Sequence, residues 1–188
     1  MANPLLERAL PAELAERAQV IEFEGKVGDF GRLSAIVEAD LAALDEPPPA
    51  PDWAQEPVSV RLEFSWLDAD RRIPAMSGSA SLTLAAVCQR CLEPFEMPVD
   101  TTFGVLFTDE QTSDAGLDAP GYETWVLDEG RVRLQDVVEE SVVMALPLAP
   151  VHPSTDDCGP LAGGIVAAAP GTVRPFADLR ARLKKADS

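Results

Sequence analysis

Val58-Ser59-Val60-Arg61-Leu62-Glu63-Phe64-Ser65-Trp66 alternates apolar and polar residues without a break. Successive side chains of a strand point to opposite faces. Val58, Val60, Leu62, Phe64 and Trp66 therefore share one face, and Ser59, Arg61, Glu63 and Ser65 share the other. A strand with one wet face belongs in an antiparallel sheet laid on a core. Two further stretches repeat the pattern. Ala80, Leu82, Leu84 and Ala86 alternate with Ser79, Ser81 and Thr83, and Val99, Thr101, Phe103, Val105 and Phe107 form a third apolar face. Val20 to Phe23 and Tyr122 to Leu127 read as shorter strands.

Helical spacing appears on either side of these strands. Residues Leu5 to Ala18 read as a short helix interrupted at Pro11. Asp29 is placed to cap a second helix, whose stripe is Leu33, Ile36, Val37, Leu41 and Leu44. A third runs from about Leu134 to Leu146. Leu134, Val137, Val138, Val142, Ala145 and Leu146 lie on one face, early acids favour the helix dipole, and Pro147 stops it. The run Glu46-Pro47-Pro48-Pro49-Ala50-Pro51 can continue neither helix nor sheet and reads as an extended linker. The fold class is therefore α+β: a curved, mainly antiparallel sheet, open or closing toward a barrel, packed with two or three amphipathic helices. Residues 1–158 read as a single domain with the Pro-rich linker near 46–57. Residues 159–173 read as a flexible Gly/Ala/Pro connector, and 174–188 as a basic C-terminal helix or tail.

The chain has 188 residues, 46% of them apolar, enough for a sizeable core. No apolar block at the start resembles a signal peptide, and no stretch is long enough to span a bilayer, so a cytoplasmic location and no membrane partner are expected. The formal net charge is −17. Phosphate contacts need clustered Lys and Arg, so this balance opposes direct nucleic-acid binding over most of the surface. A basic protein suits it better. From Asp109 to Glu140 the local net charge is −8. Asp136, Glu139 and Glu140 in that run are candidate partner-binding residues. The C-terminal segment concentrates bases at Arg174, Arg180, Arg182, Lys184 and Lys185, with Phe176 and Leu179 on one helical face as further partner-binding candidates.

Three cysteines, an odd number, do not make a closed disulfide framework. Cys88-Gln89-Arg90-Cys91 lies between two strand patterns, hence in a hairpin-like turn. Two thiolates so spaced can clasp one metal ion, and a tetrahedral zinc site needs two more ligands. Cys158 is the one other cysteine and His152 the one histidine. The candidate zinc set is Cys88, Cys91, His152 and Cys158. The alternative is a turn with inert, partly buried thiols. A thioredoxin-like redox pair fits less well, because Leu92-Glu93-Pro94-Phe95 leads into a strand and not a helix. There is no Gly-x-Ser-x-Gly elbow, no phosphate-cradling loop, and His152 sits between prolines, unsuited to a triad.

Several ordered motifs resemble one family. Cys88-Gln89-Arg90-Cys91-Leu92-Glu93-Pro94-Phe95, then Gly121-Tyr122-Glu123, then Leu134-Gln135-Asp136-Val137-Val138-Glu139-Glu140 running into Ala145-Leu146-Pro147-Leu148-Ala149-Pro150-Val151-His152, are similar to the YceD-like large ribosomal RNA subunit accumulation proteins. Arg174-Pro175-Phe176-Ala177-Asp178-Leu179 resembles the family's closing segment. Some members carry a fuller set of cysteines after the Leu-Pro segment, where this chain has His152 and Cys158. The resemblance implies a ribosome-biogenesis factor supporting accumulation of large-subunit ribosomal RNA. Charge adds the expectation of contact with a basic ribosomal or RNA-processing protein, with RNA reached indirectly and no catalysis by this chain. A zinc-stabilised binding module and a metal-dependent RNA-processing enzyme are the competing readings.

Overall fold

The computed structural model describes residues 3–44, 52–67, 73–109 and 119–158. The Pro-rich run at 46–51, the connector, and the tail with Phe176 and Leu179 lie outside the described residues. The order of elements is β1 (Arg8–Ala9), α1 (Pro11–Glu16), β2 (Val20–Lys26), α2 (Gly31–Ala42), β3 (Pro57–Trp66), β4 (Pro74–Val87), β5 (Pro94–Thr108), β6 (Glu123–Val126), β7 (Val132–Arg133) and α3 (Leu134–Ala145).

β2 to β6 form one five-stranded sheet in sequential order. β2, β3, β4 and β5 pair antiparallel, with Val60 opposite Ala80 and Leu82 opposite Val99. β6 runs parallel to β5, with Val105 opposite Glu123. The α+β expectation holds. The barrel alternative does not: β2 and β6 do not meet, and the sheet stays open. β1 and β7 make a separate two-residue ladder.

Alternation in the sequence becomes burial. Val58, Val60, Leu62 and Phe64 are buried, as are Ala80, Leu82 and Leu84, and α2 and α3 close over this face with Leu33, Val37, Val137 and Val138. Phe64 and Phe107 stack across the sheet, centroids 6.5 Å apart. Burying such side chains contributes about 1.5–3 kcal/mol each before the entropy of ordering is set against it.

Two local expectations change. Pro11 opens α1 instead of interrupting a longer helix, since its missing N–H and fixed φ suit a first helical position. Asp29 does not cap α2. It lies in a 3-10 turn over Val27–Asp29, where its carboxylate accepts the Lys26 N–H at 2.9 Å. Phe30 occupies the cap position and offers no side-chain hydrogen bond. The first free N–H groups of α2 are instead taken by Glu139 of α3: its Oε1 accepts from Arg32 N–H at 2.6 Å and Leu33 N–H at 3.1 Å.

Candidate metal centre

Cys88 follows directly on β4. Its C=O accepts the Leu92 N–H at 2.8 Å and its N–H donates to Glu93 C=O at 2.9 Å, so Gln89 to Leu92 form a tight knuckle between β4 and β5. Leu92 has a φ of 60°, the left-handed conformation that turns the chain into β5. Pro147 ends α3, and the chain then runs back past this knuckle. Gln89 N–H donates to Pro150 C=O at 2.8 Å, fastening the strap to the turn. His152 follows, its ring tilted over Phe95 with centroids 4.7 Å apart. A turn over Ser154 to Cys158 brings the last thiol round.

The donor atoms of Cys88, Cys91, His152 and Cys158 lie within 4.8 Å of one another, a group that can hold a metal ion. Cys91 Sγ is 3.4 Å and Cys158 Sγ 3.6 Å from His152 Nδ1, and Cys88 Sγ is 4.0 Å from Cys158 Sγ. A tetrahedron with zinc–sulfur and zinc–nitrogen bonds of ordinary length has edges of about 3.8 Å between sulfurs and about 3.6 Å from sulfur to nitrogen. These three separations match those edges to within about 0.2 Å. Cys88 and Cys91 are buried, His152 is 9% exposed and Cys158 is partly buried.

The electrostatics point the same way. Burial raises the Cys88 thiol, but backbone N–H groups of His152, Arg90 and Cys91 aimed at its sulfur outweigh that, and the pKa falls to about 5. His152 N lies 3.5 Å from Cys88 Sγ. Cys158 moves the other way, pushed up to about 11 by burial and then by the neighbouring Cys91 and Cys88 sulfurs. Thiolates crowded together repel one another, and a divalent cation at their centre reverses that repulsion. Arg90 Nη1, 3.5 Å from Cys158 Sγ, supplies one positive charge at the rim.

The sequence did not point to three supports of this cluster: the Gln89–Pro150 clip, the Phe95 ring under His152, and Arg90. The first is a backbone contact with no sequence signal. Phe95 and Arg90 do lie beside the cysteines in sequence.

The acidic partner candidates divide. Asp136 is exposed and 3.8 Å from Arg133. Glu140 is ion-paired with Arg32, whose pKa rises through that hydrogen bond and charge. Glu139 is 5% exposed and turned inward to α2, so it is not available to a partner. Phe176 and Leu179 fall outside the described residues.

Fold and site together define an open-sheet α+β protein with a Cys3His cluster at the end of its central hairpin. The chain belongs to the YceD family: the family model described as large ribosomal RNA subunit accumulation protein YceD matches residues 76–179, the span that holds all four cluster residues. A curated relative, the large ribosomal RNA subunit accumulation protein YceD of Haemophilus influenzae, is 30% identical over 90 residues, covering 47% of this chain and 50% of that protein. The match thus spans about half the length of that relative. No solved structure matches the chain. No helix among the described residues is long and apolar enough to cross a membrane.

Proposed function

We propose that this chain is a zinc-fastened, non-catalytic ribosome-biogenesis factor that supports accumulation of large-subunit ribosomal RNA by binding a basic ribosomal or RNA-processing protein in the cytoplasm. The observation that carries the reading is family membership across the segment that builds the Cys3His cluster. The family's name describes an accumulation protein and not an enzyme. Donor count supports the same view. Structural zinc sites use four protein ligands, whereas catalytic sites keep one position open for water or substrate. Four protein donors already lie within 4.8 Å of one another here. The metal-dependent enzyme reading would need one of them to leave.

The net charge of −17 favours a cationic protein partner over naked RNA. Elemental analysis of the purified protein should give one zinc per chain, and Cys88→Ser or His152→Ala should lose most of it. In cells depleted of the protein, mature large-subunit RNA should fall relative to small-subunit RNA. The wild-type chain should restore it and Cys88→Ser should not. An unchanged RNA ratio on depletion would overturn the functional reading. Cleavage of precursor RNA by the purified protein, lost on chelation, would revive the enzyme.

A further inference from the structure

The longest strand among the described residues, β5, is paired along nearly its full length on only one side. β4 covers Pro94 to Leu106, but β6 reaches only Val105 to Thr108. Thr108 C=O accepts the Leu127 N–H at 2.8 Å, so Thr108 turns its backbone towards the β6 side. Backbone polar groups alternate sides along a strand. Asp100, Thr102 and Gly104 therefore face the same way, along with Pro94 and Pro98. The prolines agree with that phase, because proline lacks an N–H and is tolerated where the missing donor faces an open edge. Among the described residues, no strand pairs with the outer edge of β5 through Thr102; in this phase the Val105–Glu123 pair engages Gly104 C=O and leaves Gly104 N–H open.

This edge is walled. A groove of 410 Å³ runs between Thr101 to Gly104 and the last turns of α3, where Ser141, Met144 and Ala145 line it, and Gly121 to Glu123 close one end. Met144 is 67% exposed, a large apolar side chain beside unpaired strand backbone. Of the residues that line the groove, Glu123 is an exposed acid and none is Lys or Arg, and Glu96 and Asp100 are further exposed acids on the same strand as Thr101 to Gly104. An open strand edge flanked by a helix is the arrangement in which an extended peptide adds a strand, with backbone bonds giving affinity and wall pockets giving selectivity.

We propose that the edge of β5 at Asp100 to Gly104 receives a short, extended, basic segment of a partner protein, which adds to the sheet in the groove against Met144. Pro98 limits the added strand on one side and the Gly121 turn on the other. The inference deepens the basic-partner reading and rests on it.

The test uses the full chain in its zinc-loaded form and a short peptide of alternating lysine and valine. Three controls accompany it: the same peptide N-methylated at its backbone amides, Thr102→Pro and Met144→Gln. Thr102→Pro removes an N–H that points away from β4, so it costs no ladder bond, and Thr101 before it is already extended. The peptide should slow amide exchange at Asp100, Thr102 and Gly104. Thr102→Pro should weaken binding by about tenfold, Met144→Gln by several-fold, and N-methylation should abolish it. Equal binding of the N-methylated peptide would overturn the strand-addition claim, since charge alone would then suffice. A concentration-dependent dimer abolished by Thr102→Pro would assign the edge to a second copy. Tighter peptide binding after Phe176→Gln and Leu179→Gln, which leave the net charge unchanged, would assign it to the chain's own C-terminal segment. Either result overturns the proposal. Capture of proteins from purified large ribosomal subunits separates the two levels. Capture by wild type and equally by Thr102→Pro sinks the edge and spares the basic partner, whereas capture by neither sinks the basic partner itself.

Discussion

Glu139 shows how one side chain can belong to two helices. Its position in α3 is buried, yet its carboxylate is not wasted, because α2 begins without a capping side chain of its own. The N–H groups of Arg32 and Leu33 meet Glu139 Oε1, and the negative charge lies at the positive end of the α2 dipole. Gln135, one turn earlier, donates from Nε2 to Asp29 C=O at 2.7 Å and fixes the same junction. Glu139→Ala would bury unpaired donors and should destabilise by about 2–4 kcal/mol, read from urea unfolding. Glu139→Gln keeps an acceptor without the charge and should cost roughly half as much. Equal, negligible losses would mean that the contact contributes nothing. In the sequence Glu139 read as a candidate partner-binding acid in an exposed acidic run. The signal was there nonetheless. Gln135, Val138, Glu139 and Val142 recur at helical spacing, so two polar residues stand in the buried stripe itself. Polar residues in such positions need internal partners, and which partners they find depends on elements a hundred residues away.

Period-two alternation made β3, β4 and β5 legible, because one face of each had to be buried. Direction was not legible for β6. Four residues carry no mark of parallel or antiparallel pairing. β1 and β7 are shorter still and exist because they meet each other. Gly78 in β4 is a different case. It stands in the core-facing phase between Met76 and Ala80, where alternation alone would favour a larger residue. Phe103 on β5 lies directly opposite and its ring fills the space over the glycine. A Cβ on Gly78 would come within 2.3 Å of Phe103 Cε2. Gly78→Ala should therefore destabilise by about 1–3 kcal/mol through overpacking. Combined with Phe103→Leu it should cost clearly less than the two changes added, because the smaller side chain vacates the contested space. Strict additivity in the double-mutant cycle would show that the ring is free to move aside. The same glycine bears on the β5 edge, since Phe103 is held between Gly78 and the groove.

At the scale of the molecule, the main core and the strap are held by different forces. The core of sheet, α2 and α3 is closed by apolar burial. The strap from Leu146 to Cys158 offers little of this kind: Leu148 and Val151 are exposed, and its ties to the knuckle are the Gln89–Pro150 hydrogen bond, the His152 ring on Phe95, the Arg90 contact with Cys158 and the cluster itself. Composition made the four cluster residues legible as a set, being all the cysteines and the histidine. It could not show that the fold, across some sixty intervening residues, brings their donor atoms within 4.8 Å of one another. Under the zinc reading, the metal is the strap's main fastener. Zinc at a hundredfold over its dissociation constant should then add about 2.7 kcal/mol to the loaded fold. For a chain of this size that is on the order of 5–10 °C in Tm. Calorimetry with and without chelator should show the shift, reversed by added zinc. Amide exchange should resolve it further. After chelation, Gln89, Leu92 and Cys158 should exchange faster, while Leu62 and Leu82 in the central strands should keep their protection, because their bonds belong to a ladder that the metal does not close. Uniform loss of protection would instead make the metal a requirement for the whole fold. An unchanged Tm with zinc bound would mean that the strap is already held by its own contacts.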